Sequence, residues 1–424
     1  MKNKRTIVCF GPGPMFKGGI ANYNTSLAKA FDKIEDTEVH IVSWTQQYPA
    51  IIPRDFIDRK SKVDQLEGTN IKIHYLTNYN NPASWKATAK LIAGLNPEKV
   101  IFQWAIAIQG LPMGYIAKKL KKNKGIEVFF DLHFVIQKEG SALDNRLTKI
   151  GIKYADSYIV HAFKTADELK ELFPKKQFEV IERGKKISGN GMKVLKLYHP
   201  VYDMFKPNPN IDIAEVKKEM GLKENVFLFF GFIRKYKGLH NVIEAFAALA
   251  KQRNDVSLII CGESFWNTLD SSKLSTRLKN ATFGVAKKLF LKNQDNEQDY
   301  NPLALIKELN IKELVHLNNE FVPNEDVPKY FQVSDNIMLY YLTAIPSGVE
   351  SIGYNFNMPM LATNVGHFPE TVVDGYNGYM AIDGDICSMT NAMNKAIEKP
   401  IDRKNVAATS KDMSWDNYAR EILR

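Results

Sequence analysis

The sequence predicts an α/β protein built as two parallel-sheet domains of similar design. Three observations carry this. Apolar strand runs alternate with helical patterns through both halves of the chain, the order that builds a parallel sheet covered by helices on both faces. A strand, a glycine-rich loop and an amphipathic helix occur together at the start, and the same succession returns past the midpoint. The 424 residues are enough for two domains, each with its own core.

The first domain is expected over residues 1–203. Thr6–Phe10 is a buried-strand run, followed by the loop Gly11-Pro12-Gly13-Pro14-Met15-Phe16-Lys17-Gly18-Gly19. Ile20, Tyr23, Leu27 and Phe31 then recur at helical spacing. Further strands are expected at Val39–Trp44, Ile71–Leu76, Lys99–Trp104, Glu127–Leu132 and Ser157–His161, with helical patterns between most of them. Trp44 to Thr69 has few periodic signals and reads as a loop beside a cleft. Tyr198-His199-Pro200-Val201-Tyr202, with Pro207 and Pro209, reads as the linker.

The second domain is expected over 204–413, with strands at Val226–Phe232, Val256–Cys261, Leu314–Leu317, Asn336–Tyr341 and Met360–Thr363. Gly231, Arg234, Lys237 and Gly238 follow the first of these, before a helix with Val242, Ile243, Ala245, Phe246 and Leu249 on its apolar side. The polar stretch at about 264–302, rich in Lys, Asn and Asp, reads as an insertion. The turn Pro346-Ser347-Gly348-Val349 opens a helix that stops before Pro359. The N–H groups at such a helix start have no intrahelical partner. Together with the helix dipole they form an anion site suited to a diphosphate. Ser414 is a plausible cap for a last helix over 414–424.

Composition narrows the class. Hydrophobic content of 45% and charged content of 25% are those of a globular protein, and no apolar run reaches the roughly 18 residues of a membrane span. The basic start Met1 to Arg5 leads into a strand and a glycine loop, so it does not read as a secretory signal. Cys9, Cys261 and Cys387 are odd in number and lack metal-ligand spacing, which points to reduced thiols and the cytoplasm. The net charge of +10 is not matched by zinc spacing, a basic heptad region or an aromatic RNA motif, so nucleic acid is not an expected partner. Lys118, Lys119, Lys121, Lys122 and Lys124 form one basic cluster, and Lys175, Lys176, Arg183, Lys185 and Lys186 another. Each reads either as a solvated face or as a surface for anionic phospholipid.

Taken together, these segments resemble the retaining glycosyltransferases of family four. The match lies in the Gly18-Gly19-Ile20 loop, in the Gly231, Arg234, Lys237, Gly238 succession and in Pro359 to Glu370. Smaller matches are Val322-Pro323-Asn324-Glu325-Asp326-Val327, Asp335 before its strand and Asp374-Gly375-Tyr376-Asn377-Gly378. They span nearly the whole chain in the expected order. Within the family the chain is most similar to the branch reading Ser-Gly-Val ahead of the proline, which is associated with bacterial surface-glycan assembly.

The resemblance implies the GT-B fold, two Rossmann-like domains facing across a cleft, with the last helix crossing back to the first domain. It implies a retaining, metal-independent hexosyl transfer from a nucleotide-diphosphate sugar to a glycan or lipid-linked acceptor, without a cofactor. The expected location is cytoplasmic, peripheral on the inner face of the membrane. His133, Arg234 and Lys237 are the implied catalytic residues: the histidine near the anomeric carbon and the two cations on the leaving diphosphate. Gly18, Gly19, Gly231, Phe321, Val322, Ser347, Gly348 and Val349 are the implied donor-binding residues. Glu139, Glu350 and Ser351 are further candidates. Asp131 is expected to point away from His133.

The residues add limits of their own. Gly11, Gly13, Gly18 and Gly19 fit the dinucleotide fingerprint poorly, because Pro12 and Pro14 crowd it and the third glycine is late. No carboxylate pair presents itself for glycosidase-type double displacement. The two glutamates usual in the family, eight positions apart and the second seven before the proline, are absent: Ala344 and Ile352 stand in their places. Glu350 is near but out of phase, and His367 replaces a glycine often seen in its turn. A nucleotide-sugar-binding partner without activity, or a nucleotide-sugar epimerase of the same build, are the competing classes.

Overall fold

The computed structural model describes residues 4–49, 56–62, 64–136, 142–185, 189–264, 300–344, 346 and 348–424. The first sheet has eight strands: β1 (Arg5–Phe10), β2 (Thr37–Gln46), β3 (Lys72–Asn78), β4 (Lys99–Trp104), β5 (Glu127–Leu132), β6 (Ser157–Val160), β7 (Phe178–Glu182) and β8 (Met192–Lys196). Their order is β3-β2-β1-β4-β5-β6-β8-β7, and the registers are parallel. The second sheet contains β9 (Asn225–Phe230), β10 (Val256–Cys261), β11 (Val315–Asn318), β12 (Asn336–Leu339), β13 (Met360–Thr363) and β14 (Gly378–Ala381). Its order is β11-β10-β9-β12-β13-β14, again parallel.

Both sheets reverse their winding beside the first strand, between β1 and β4 and between β9 and β12. In open α/β sheets the crevice outside the carboxyl ends at such a reversal is where ligands bind. Central strands read VCF and VFLFF because both faces are covered, and β4 and β10 are buried along their whole length. This is the two-domain GT-B architecture expected from the sequence.

Three strands escape sequence reading. β7, at the sheet edge and only half covered, and β8 beside it each carry two charged residues three apart (FEVIE, MKVLK), which breaks the strand pattern. β14 is four residues long, and its glycine hides the strand pattern. The expected insertion at about 264–302 falls largely outside the described residues. The helix Gly348–Asn355 ends before Asn357, whose φ of 50° is left-handed.

Ser414 accepts a hydrogen bond from the Asn417 N–H at 3.2 Å and caps the helix Trp415–Leu423. That helix returns to the first domain. The Trp415 ring lies 4.9 Å from that of Tyr23, in the helix Gly19–Asp32, and Tyr418 donates to Asp131 at 3.0 Å.

Candidate functional site

The site begins where β9 ends. Gly231 has φ 96°, and a Cβ there would fall 2.8 Å from the Lys237 Nζ and 3.1 Å from Val349 Cγ2. The missing side chain is what admits the ammonium. Lys237 closes the 3-10 turn Lys235–Lys237 and is followed by Gly238 at φ 65°. A side chain on Gly238 would strike the Tyr340 carbonyl oxygen, so the turn is clamped onto the end of β12. Lys237 is 6% exposed, and burial, then the charge of Arg234, push its amine down to about 8. Its Nζ also lies 5.8 Å from the Tyr341 ring centroid. Arg234, Lys237, Gly231 and Val349 therefore meet at one corner, beside the first turn of the Gly348–Asn355 helix.

The opposite wall comes from the first domain. Gly18, at φ 104°, precedes the helix Gly19–Asp32. The Tyr202 hydroxyl donates to the Gly19 carbonyl at 2.8 Å, and a Cβ on Gly348 would lie 2.5 Å from Tyr202 Cε2. One linker tyrosine thus holds the two glycine-led helix starts together. No periodic signal marked Tyr202; only its place in the linker did. Lys17 Nζ sits 5.0 Å from the Phe321 ring centroid, and Val322 beside it is buried. Nearby the Asn324 N–H donates to Ser61 Oγ at 3.3 Å, and Lys60 pairs with Glu320 at 3.2 Å, so the Glu320–Asn324 segment also spans the domains. Ser347 and Glu139 lie outside the described residues.

Residues 211–413 match the sequence profile of the family described as glycosyl transferases group 1. The second domain is therefore similar to the group 1 glycosyl transferases over most of its length. The whole chain superposes on Anabaena HepE in complex with UDP-glucose with a TM-score of 0.66, at 15% identity, covering 99% of each chain. It is similar to the apo form of the lipopolysaccharide outer core galactosyltransferase WaaB as well, with a TM-score of 0.60, at 15% identity, covering 99% of each chain. Among curated proteins it is 22% identical to N-acetyl-alpha-D-glucosaminyl L-malate synthase of Bacillus anthracis, over 54% of this chain and 55% of that one. It is 25% identical to spore coat protein SA of Bacillus subtilis (strain 168), over 45% of this chain and 43% of the relative. The match thus spans about half the length of these curated relatives.

Within the second domain, Ala344 and Ile352 are buried apolar residues. Glu350 turns inward: one carboxylate oxygen accepts from Thr371 Oγ1 at 2.6 Å and the other pairs with His367 Nε2. Ser351 Oγ lies 2.6 Å from His199 Nδ1 in the linker, so its polar contact is made with protein.

His133 directly follows β5 and is buried, with Nε2 2.8 Å from Gln103 Oε1. Burial pushes its imidazole down to about 4 despite the neighbouring Asp131 charge, so it is a neutral hydrogen-bonding group at pH 7. Asp131 does not point away. It shares the His133 side, as strand residues two apart do, and lies 2.9 Å from His161 Nε2. Its carboxyl is opposed by burial yet held below the usual range by His161. The His133, His161 and His199 rings pack together with Tyr23 between them and Trp415, and this cluster ties the first sheet, linker and last helix to one another.

Proposed function

We propose that this chain transfers a sugar, with retention and without a metal ion, from a nucleotide-diphosphate sugar to a glycan or lipid-linked acceptor in surface polysaccharide assembly. The corner of Gly231, Lys237 and Val349 carries the reading. An ammonium held in a backbone slot, Arg234 within electrostatic reach and the unpaired amides of a helix start all converge where a leaving diphosphate needs neutralising. In the step so supported, the anomeric carbon–phosphate oxygen bond breaks and its electron pair stays on the phosphate. The acceptor oxygen bonds the same face of the carbon, and the acceptor proton passes to that phosphate oxygen. Position and charge are the protein's part. Two cations at the diphosphate replace what a magnesium ion would supply. The expected result is therefore a raised melting temperature with one or more of UDP- and GDP-sugars in excess EDTA, as binding to the native state requires. Ligand shifts that appear only with added magnesium or manganese would overturn the metal-free part. A chain that responds to no nucleotide sugar would overturn the donor part.

The lipid-linked acceptor draws support from the first domain's surface. Lys118 and Lys153 both lie over the Tyr154 ring, at 5.9 and 4.8 Å, and Lys176 lies near enough to Lys121 to feel its charge. Lys176 of the second cluster thus joins the face of the first, whereas Arg183 and Lys185 pair with Asp412 and Glu182 and leave it. Leu111 and Leu143 are 47% and 52% exposed on the helices Gly110–Leu120 and Ala142–Ile152. A basic face with apolar points suits an anionic bilayer. No helix among the described residues is long and apolar enough to cross a membrane. The chain is expected to sediment with phosphatidylglycerol vesicles and not with phosphatidylcholine ones. The change Lys118→Glu with Lys122→Glu is expected to release it; binding unaffected by these changes would sink the docking.

A further inference from the structure

Two residues that depart from the family pattern, Glu350 and His367, have found each other. Glu350 lies in the first turn of the Gly348–Asn355 helix, 4% exposed, and His367 lies just past β13, 1% exposed. Glu350 holds His367 Nε2 with one oxygen and Thr371 Oγ1 with the other. Both oxygens are therefore used inside the protein. His367 Nδ1 is different: it is buried and has no hydrogen-bond partner among the described residues.

The place of the pair matters. His367 stands at the carboxyl end of β13, on the crevice side of the sheet. Its neighbour Gly366 packs so tightly on Ala344 that a side chain would strike that carbonyl, so the His367 turn abuts the loop leading into the Gly348 helix. On the other side Phe368 meets the Tyr341 ring at 5.5 Å, and that ring faces the Lys237 ammonium. The turn is thus next to the diphosphate corner, in a domain where the two usual polar grips are occupied by Ala344 and Ile352.

We propose that His367 is a donor-specificity residue: Glu350 pins its Nε2–H, and the accepting Nδ1 takes one hydroxyl of the donor sugar. This rests on the donor reading above. A carboxylate accepting from Nε2–H sets the tautomer that leaves Nδ1 as a lone-pair acceptor, matched to a hydroxyl donor. A buried acceptor without a partner is also unfavourable, so a hydroxyl supplied by ligand has a place to bond.

The test uses the full chain and the tightest of UDP-glucose, UDP-galactose, UDP-N-acetylglucosamine and GDP-mannose, titrated against its free nucleoside diphosphate. The quantity read is how much the sugar adds to affinity over the nucleotide alone. In His367→Gln the side-chain amide falls at the Nε2 position, keeps Glu350 and loses Nδ1. In His367→Asn the amide falls at the Nδ1 position and loses Glu350. His367→Gln is expected to lose about ten-fold of the sugar contribution, the size of one buried hydrogen bond, with free-nucleotide affinity unchanged. His367→Asn is expected to recover most of that loss. Melting temperatures establish that both variants fold. Equal losses in the two variants, an unchanged sugar contribution in both, or a parallel fall in free-nucleotide affinity would overturn the proposal while leaving the donor reading in place. A wild-type chain that binds none of the four sugars overturns both.

Discussion

Lys237→Ala and Arg234→Ala are each expected to lower kcat/KM for sugar transfer by about 10²–10³-fold, the loss of roughly 2.7–4 kcal/mol of transition-state stabilisation. Lys237 is the sharper case, because its amine occupies a slot that exists only while residue 231 lacks a side chain. Lys237→Arg is not expected to rescue, since a planar guanidinium is wider than the ammonium that the slot admits. The pH profile carries the same information. With the free-protein amine at about 8, Lys237 is charged below that value and neutral above it. The kcat/KM profile therefore falls on a basic limb near pH 8 in the wild type, a limb that is absent in Lys237→Ala. The variant should also fold at least as well, because burying a charged amine is unfavourable in the empty protein. Wild-type kcat/KM in both alanine variants would remove the diphosphate clamp from the mechanism.

Gly238→Ala has the largest expected effect on stability, about 3 kcal/mol from a left-handed φ and a side chain driven into the Tyr340 carbonyl. For a domain of this size that is a fall of about 6–12 °C in the melting temperature of the second domain. Activity should fall with it even below that temperature, because the turn carrying Lys237 can no longer seat on β12. Gly375→Ala is the control. It shares a positive φ, 75°, but has nothing within 4 Å of its added Cβ, so only the backbone term, about 1–2 kcal/mol, applies. Equal melting temperatures in the two variants would show that the Tyr340 contact does not hold the turn.

The architecture was legible because its signals are local. A strand buried on both faces must be continuously apolar, as in VFLFF, and a glycine loop before a helix is visible from spacing alone. β4, β5, β10 and β13 were placed to the residue for that reason. The edge strand β7 was not, since half-exposed residues have no reason to be apolar, nor was β8 beside it, where two lysines break the apolar run. Arg234 and Lys237 stand between Gly231 and Gly238 in the sequence, and their role on a diphosphate is what the family resemblance implies.

What the sequence by itself determined is the chemistry available: two wound domains, glycine-led helix starts and a pair of cations after a strand. What only the tertiary structure decided is which groups meet. Tyr202 joins Gly19 to Gly348 across 183 residues of separation from the first, and Glu350 turns to His367 across 17. Lys176 of one basic cluster comes to lie beside Lys121 of the other, and Asp131 closes on Tyr418 from 287 residues away. Such contacts depend on how layers pack and where a linker returns the chain. Helix and strand periodicity say which face of an element is buried, and nothing about which distant residue will lie against it.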